Sequence, residues 1–249
     1  NDVAGRYIEF CKQSTQRQSL NGIKIVLDCA NGEGYKVAPM MFDELGAEVI
    51  SLGVSPNGQN INSNCGSLHP ELACEHVKKY RADIGICLDG DADRLTVIDD
   101  EGEVVDGDAL IGLFARFLLD TGKLKKGDTV VGTVMSNLGL ENYIKGLGLK
   151  FHRTKVGDRY IVKYMRDNKC ILGGEPSGHV IFGEYATTGD GCLAALKAIE
   201  AMKFYDHPIR EIIKEVKLYP QLLMNTVVKE KVPFKDVAVF QKALKAAEK

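Results

Sequence analysis

Apolar positions along the chain switch between two periods. Residues 23–28 form a short continuous apolar run, residues 35–45 place apolar side chains at three- and four-residue spacing, and residues 47–52 return to a short apolar run. The first and third patterns predict buried strands, and the second predicts an amphipathic helix. A loop rich in Gly, Pro and Asn follows over 54–68, then a helix over 70–80 and a strand over 82–88. Residues 95–99 predict a further strand. Strands alternating with helices imply a mixed, mostly parallel sheet covered by helices on both faces.

The same order starts again further on. Residues 129–134 match the strand at 23–28, residues 137–147 the helix after it, and residues 149–154 the second strand. Asp106-Gly107-Asp108, which opens a helix, has a counterpart in Thr188-Gly189-Asp190-Gly191. The fold class expected is therefore α/β, as two tandem, duplicated α/β/α sandwich domains over 1–104 and 105–220. Duplication also predicts that loops on equivalent strand ends face one cleft. After Pro220 the pattern changes to a strand-like segment at 222–228 and a polar amphipathic helix at 238–249 with no core of its own. Residues 221–249 read as a linker, and the chain is expected to begin and stop inside a larger protein.

Composition narrows the partners. The 249 residues carry 45% hydrophobic and 27% charged side chains, values of a globular protein, with a formal charge of −2 and no long basic run. Neither nucleic acid nor an anionic membrane is expected as a partner, and no apolar run reaches membrane-spanning length. The seven cysteines are scattered, odd in number and without a C-x-x-C pair. They read as small hydrophobes in a reducing cytoplasm.

The chemistry concentrates in Asp89-Gly90-Asp91-Ala92-Asp93-Arg94, where three carboxylates alternate with small residues and end on a guanidinium. Alternate residues of an extended or tightly turning segment point the same way, so Asp89, Asp91 and Asp93 would repel one another unless a cation sat between them. An all-oxygen donor set favours Mg2+ over zinc. A calcium loop of the EF-hand kind would need Gly at its sixth position, Glu at its twelfth and helical flanks, whereas this one has Arg94, Asp100 and strands. The bland alternative is a solvated acidic turn.

A second candidate is Gly174-Glu175-Pro176-Ser177-Gly178-His179. Its alternating carboxylate, hydroxyl and imidazole suit neighbouring sugar hydroxyls, with His179 free to handle a proton or a phosphate. The alternative is a tight turn with a surface histidine. In Lys155-Val156-Gly157-Asp158-Arg159-Tyr160, Asp158 is placed as a helix N-cap, while Lys155 and Arg159 offer positive charge to an anion. Ser136-Asn137 and Thr187-Thr188 read as caps or turns. Asn31-Gly32-Glu33-Gly34 lacks the third Gly of a dinucleotide fingerprint and the Gly-Lys-Ser/Thr of a nucleoside-triphosphate loop, so its glycines read as turn and packing residues.

Together these motifs resemble those of the α-D-phosphohexomutases over nearly the whole chain. Asp89 to Arg94 is similar to that family's magnesium loop, which usually has Gly where Ala92 stands, and Gly174 to His179 is similar to its sugar-binding loop. Val156-Gly157-Asp158-Arg159-Tyr160-Ile161 looks like the helix start that leads to it. Pro56-Asn57-Gly58-Gln59-Asn60-Ile61-Asn62 and Cys65-Gly66-Ser67 are similar to the branch acting on glucosamine phosphates, while the mannose and glucose branches often carry His where Asp158 stands.

The resemblance implies that Asp89, Asp91 and Asp93 hold Mg2+ and that Glu175, Ser177, His179, Asp158 and Arg159 bind a hexosamine phosphate. It implies Arg94, His179 and Lys155 as catalytic residues, in a reaction that passes through a phosphoserine enzyme and a 1,6-bisphosphate toward a cell-wall amino-sugar precursor. It covers the second and third of the family's four domains. No Ser-His-Asn-Pro segment and no Arg-x-Ser-Gly-Thr-Glu-Pro-like loop occurs in the 249 residues. The expectation is that domains one and four lie outside this chain, that the chain alone does not turn over, and that the intact protein can form a homodimer. Competing readings are a phosphomannomutase or phosphoglucomutase of the same family, a phosphatase of the haloacid dehalogenase kind, and a non-catalytic sugar-phosphate-binding module. The phosphatase reading is weakened because Ala-Asp-Arg, not Gly-Thr or Gly-Val, follows Asp91.

Overall fold

A computed structural model describes residues 2–222, 224, 227 and 232–247. It divides into two units, Asn1–Tyr219 and Pro220–Lys249.

The larger unit contains two sheets of one topology. The first is built from α1 (Val3–Ser14), β1 (Lys24–Asp28), α2 (Gly34–Glu44), β2 (Glu48–Leu52), α3 (Glu71–Tyr80), β3 (Ile84–Leu88), β4 (Leu95–Ile98) and β5 (Val104–Val105). Its strand order is β2-β1-β3-β4-β5, with β1 parallel to β2 and β3, and β4 antiparallel to β3 and β5. The second follows with α4 (Gly107–Asp120), β6 (Thr129–Thr133), α5 (Leu138–Gly146), β7 (Lys150–Thr154), α6 (Asp158–Asn168), β8 (Leu172–Gly174) and β9 (Val180–Phe182). Its order, β7-β6-β8-β9, repeats the first without a fifth strand. Here too the first three strands are parallel and the last is antiparallel. The unit ends with α7 (Gly191–Tyr205) and α8 (Ile209–Ile213).

The central strands explain the apolar runs. Every residue of β3 is buried, as are all of β1 and β6 but the first, because helices cover both faces of a parallel sheet. The outer strands β2 and β7 remain half-exposed. Parallel pairing sets Asp28 opposite Cys87, so the carboxyl ends of β1 and β3 are flush and the loops leaving them lie side by side.

Between the sheets lies one continuous apolar cluster. It joins Leu27, Ile86 and Leu95 of the first sheet to Val130, Leu172 and Phe182 of the second through Phe114 of α4 and Leu193 of α7. Phe114 and Phe182 meet edge to face at 5.0 Å. Smaller clusters under α3 and α6 close the outer faces. Nearly every residue of α7 from Gly191 to Met202 is buried, as expected of a helix packed on all sides. α4 follows the first sheet in the chain yet packs on β8, and α7 follows the second yet packs on β3 and β4. The buried Lys197 of α7 also caps α1, its Nζ donating to the Ser14 carbonyl at 2.5 Å and to Glu200 at 2.8 Å.

Local chemistry sets the helix starts. Asp106, Asn137 and Asp190 are N-caps whose side chains accept from the amides of Asp108, Gly139 and Leu193. The cap expected at Asp158 falls one residue earlier. Gly157, at φ +120°, occupies that position, and Asp158 is the first helical residue. The sequence reading named no helix over Val3–Ser14 and no strand at Val104–Val105. All seven cysteines are free thiols, and burial pushes Cys11 and Cys29 up to about 12, which leaves them poor nucleophiles.

In the smaller unit a 3-10 turn (Phe234–Asp236) leads into α9 (Ala238–Ala247), and Phe234 stacks on Phe240 with ring centres 4.5 Å apart. The strand expected over 222–228 falls mostly outside the described residues. No helix among the described residues is long and apolar enough to cross a membrane.

Candidate active site

The loop from Asp89 to Arg94 leaves the end of β3 and returns at once into β4. It is held tightly by its surroundings: the Gly90 carbonyl accepts from Glu33 N, the Ala92 carbonyl from Gly191 N, and Asp89 Oδ1 from Arg94 N. Asp89, Asp91 and Asp93 each bring one carboxylate oxygen within 4.8 Å of the others. Burial, reinforced by the neighbouring charges of Asp93 and Asp91, pushes the Asp89 carboxyl up to about 6. Arg94 offsets part of this charge, its Nε lying 3.7 Å from both Asp89 Oδ2 and Asp93 Oδ1. Asp93 Oδ1 is buried and has no hydrogen-bond partner. Arg94 alone does not satisfy three carboxylates this close, one of whose buried oxygens accepts no hydrogen bond, and a hard, oxygen-preferring divalent ion fits this donor set.

The loop from Glu175 to His179 leaves β8 at the equivalent position and touches the acidic loop directly. The Gly178 carbonyl accepts from Leu95 N at 3.0 Å, and His179 Nδ1 lies 3.3 Å from Asp93 Oδ2. His179 Nε2 accepts from Gly189 N at 3.1 Å. With Nε2 accepting, the ring proton of a neutral imidazole sits on Nδ1. Only 3% of His179 is exposed. The ring is thus buried where the two loops meet, with Nε2 hydrogen-bonded and Nδ1 facing the acidic loop.

The remaining predicted residues lie at the same end of the second sheet. Glu175 Oε1 accepts from Gly157 N at 2.9 Å, which ties the loop to the start of α6 and leaves Oε2 with no hydrogen bond among the described residues. Ser177 is exposed. Lys155 and Arg159 flank the Tyr160 ring, at 5.9 and 4.7 Å from its centre, and both are exposed. Asp158 is exposed and accepts from Arg159 N at 2.6 Å.

Two family models match, described as phosphoglucomutase/phosphomannomutase alpha/beta/alpha domain II over residues 5–102 and domain III over residues 106–219. The chain belongs to this family. It is 50% identical over 248 residues to a phosphoglucosamine mutase of Nitratidesulfovibrio vulgaris, covering 99% of this chain and 55% of that protein. It is 48% identical over 250 residues to one of Campylobacter curvus, covering 100% and 56%. The chain thus spans about half the length of the curated relatives it matches. Among solved structures, a phosphoglucomutase/phosphomannomutase family protein from Burkholderia thailandensis superposes with a TM-score of 0.76 at 26% identity, over 85% of this chain and 46% of that one. An N-acetylphosphoglucosamine mutase of Aspergillus fumigatus, solved in complex with GlcNAc-6P and magnesium, shares the fold with a TM-score of 0.69 at 20% identity, over 88% and 55%.

In this phosphohexomutase site, sequence reasoning missed the supporting residues. Asp28 is fully buried at the end of β1, accepting from Ala30 N at 2.8 Å and Gly66 N at 2.9 Å, and so pins the long loop over 54–68 beside the acidic one. An acid closing an apolar strand was the available signal. Gly189 and Asp190, read only as part of the counterpart of Asp106-Gly107-Asp108, supply the amide that meets His179 and the carboxylate that accepts from Tyr7 Oη at 2.8 Å.

Proposed function

We propose that these two domains form the metal-holding and sugar-holding walls of a cytoplasmic phosphoglucosamine mutase, interconverting glucosamine 6-phosphate and glucosamine 1-phosphate through a phosphoserine enzyme and a 1,6-bisphosphate. The observation that carries this reading is the direct meeting of the two loops, which brings three clustered carboxylates together with the loop that carries a half-buried carboxylate and an exposed hydroxyl. The approximately half-identical relatives named phosphoglucosamine mutase support the choice of hexose.

Asp89, Asp91 and Asp93 would hold Mg2+, which when bound supplies positive charge against the transferring phosphoryl group. Arg94, 46% exposed at its side chain, adds a guanidinium on the same side, and phosphoryl transfer is chiefly a matter of such electrostatics and positioning. Glu175 and Ser177 hold neighbouring sugar hydroxyls. Lys155 and Arg159 attract the phosphate at the sugar's other end, the Arg159 guanidinium donating to Tyr160 Oη at 2.8 Å while Asp158 accepts from the Arg159 backbone N–H. The phosphoserine is supplied from outside residues 1–249, so the 249-residue chain binds Mg2+ and does not turn over.

The test grafts these 249 residues in place of the matching part of the Nitratidesulfovibrio vulgaris relative. The chimera is expected to convert glucosamine 6-phosphate, and Asp91→Asn to lower its turnover by about 100-fold or more. A folded chimera that converts mannose 6-phosphate and not glucosamine 6-phosphate would place the chain in another branch of the family.

A further inference from the structure

We infer that Tyr7 is a positioning residue for the acidic loop: its hydroxyl holds Asp190, and with it the start of α7 on which that loop rests. The inference deepens the function proposed above and rests on it for the metal that the loop holds.

α1 and α7 are fastened to each other at two points. Tyr7 Oη donates to Asp190 Oδ1 at 2.8 Å, and further along both helices Lys197 Nζ donates to the Ser14 carbonyl at 2.5 Å. The step is equal on each, from residue 7 to 14 and from 190 to 197, so the helices run parallel for about two turns. Burial pushes the Tyr7 phenol well above its ordinary value, so it stays a neutral donor to the carboxylate. Asp190 Oδ1 accepts at the same time from Leu193 N at 2.9 Å, which makes it the N-cap of α7.

The residues on either side of Asp190 support the acidic loop. Gly191 N donates to the Ala92 carbonyl at 2.8 Å, and a Cβ on Gly189 would lie 2.6 Å from the Asp93 carbonyl oxygen. Between α1 and the loop lies a cavity of about 480 Å3, with Val3 and Tyr7 on one wall and Asp91 and Ala92 on another. The hold of α1 on the loop therefore runs through Asp190 and the backbone beside it. Groups that touch a metal ligand directly commonly change metal affinity by about 10–100-fold when removed, and Tyr7 stands one step further out.

The two fastenings can be cut separately. Tyr7→Phe removes one oxygen and keeps the ring, whereas Lys197→Met cuts the far point and leaves both the Ser14 carbonyl and Glu200 without their partner. Mn2+ binding to the 249-residue chain, read by electron paramagnetic resonance, is expected to weaken about three- to tenfold in Tyr7→Phe and to stay within about twofold in Lys197→Met. A merely structural tie would order the variants by the stability they lose in thermal melts, and Lys197→Met is the more damaging. Asp190→Ser keeps a cap oxygen but withdraws it from Tyr7, so adding Tyr7→Phe to it is expected to change affinity by less than about twofold.

Hydrogen exchange gives a second readout. Mg2+ saturation is expected to slow exchange of the α1 amides around Tyr7 in the wild-type chain and not in Tyr7→Phe, because coupling between two sites is reciprocal. Unchanged affinity in Tyr7→Phe, losses in the two single variants that follow their melting temperatures, or wild-type α1 exchange that ignores Mg2+ would overturn the positioning role and leave the mutase reading intact. So would a full Tyr7→Phe loss on the Asp190→Ser background. No Mn2+ binding by the wild-type chain would overturn both.

Discussion

The loops after β3 and β8 occupy one place in two copies of one topology, yet one gathers three carboxylates and the other presents a single one. Their scaffold is shared and their side chains are not, so the duplication supplies two anchoring points at strand ends and the loop sequences divide the chemistry between them. The support is crossed as well. α4, which follows the first sheet, backs the second loop so closely that a Cβ on Gly107 would lie 2.3 Å from the Pro176 carbonyl oxygen. α7, which follows the second sheet, backs the first loop, where a Cβ on Gly191 would lie 2.7 Å from the Arg94 carbonyl oxygen. Each loop therefore rests on a helix that the chain reaches only after leaving the other sheet.

The largest effect is expected where the loops touch. Gly178 sits at φ +87°, and a Cβ there would lie 2.1 Å from the Leu95 carbonyl oxygen. Gly178→Ala combines left-handed strain with a backbone collision that no rotamer relieves, and is expected to cost more than about 3 kcal/mol in urea unfolding. Gly58 separates the two causes, since its φ of +85° is nearly the same and nothing lies within 4 Å of its missing Cβ. Gly58→Ala is expected to cost about 1 kcal/mol. Equal losses in the two variants would mean that the meeting of the loops contributes little.

The second prediction turns on the helix starts. At the third position of the Asp-Gly-x pairs that open α4 and α7, the former has Asp108 and the latter Cys192. Burial pushes Asp108 up to about 6, against an ordinary value near 4, and although Asn137 N donates to its Oδ2 at 2.6 Å, its Oδ1 has no partner. A carboxyl raised in the folded state favours folding while protonated, so its contribution is full below about pH 4 and lost as pH rises through 6. That loss amounts to roughly 3 kcal/mol at most. Asp108→Asn is expected to flatten the change in urea midpoint between pH 4 and pH 7 by up to that amount. A slope equal to wild type would show that Asp108 stays charged in the fold.

How far the sequence carried this picture depends on the range of the interaction. Alternating apolar periods located β1, β3, β6 and the helices between them, because burial on a sheet or helix face is written in consecutive residues. The three acids were legible for the same reason. The crossing of α4 and α7 was not, since which sheet a uniformly apolar helix covers is decided by packing between residues far apart in sequence. His179 shows the same limit within the site. Its motif marked the imidazole but not its surroundings, and only the approach of Asp93 and Gly189 from two other loops encloses it. Gly157 displaced Asp158 as a cap because its φ of +120° fits no side chain, a fact no residue pattern displays.

The smallest effect tests how much loop sequence matters once the scaffold is set. Ala92 lies at φ +57°, in the left-handed region that disfavours any residue with a Cβ, and the sequence resemblance places Gly there in related proteins. Relief of that strain favours Ala92→Gly, while a freer unfolded chain and the loss of a partly buried methyl oppose it. The balance is expected to be a gain within about 1 kcal/mol in urea unfolding. Because the Ala92 contribution to the loop is its carbonyl, held by Gly191 N, and its side chain carries no ligand atom, Mn2+ affinity should stay within about twofold. A larger drop would mean that the methyl itself stiffens the loop so that three like charges stay together, making the alanine part of the site and not a tolerated departure.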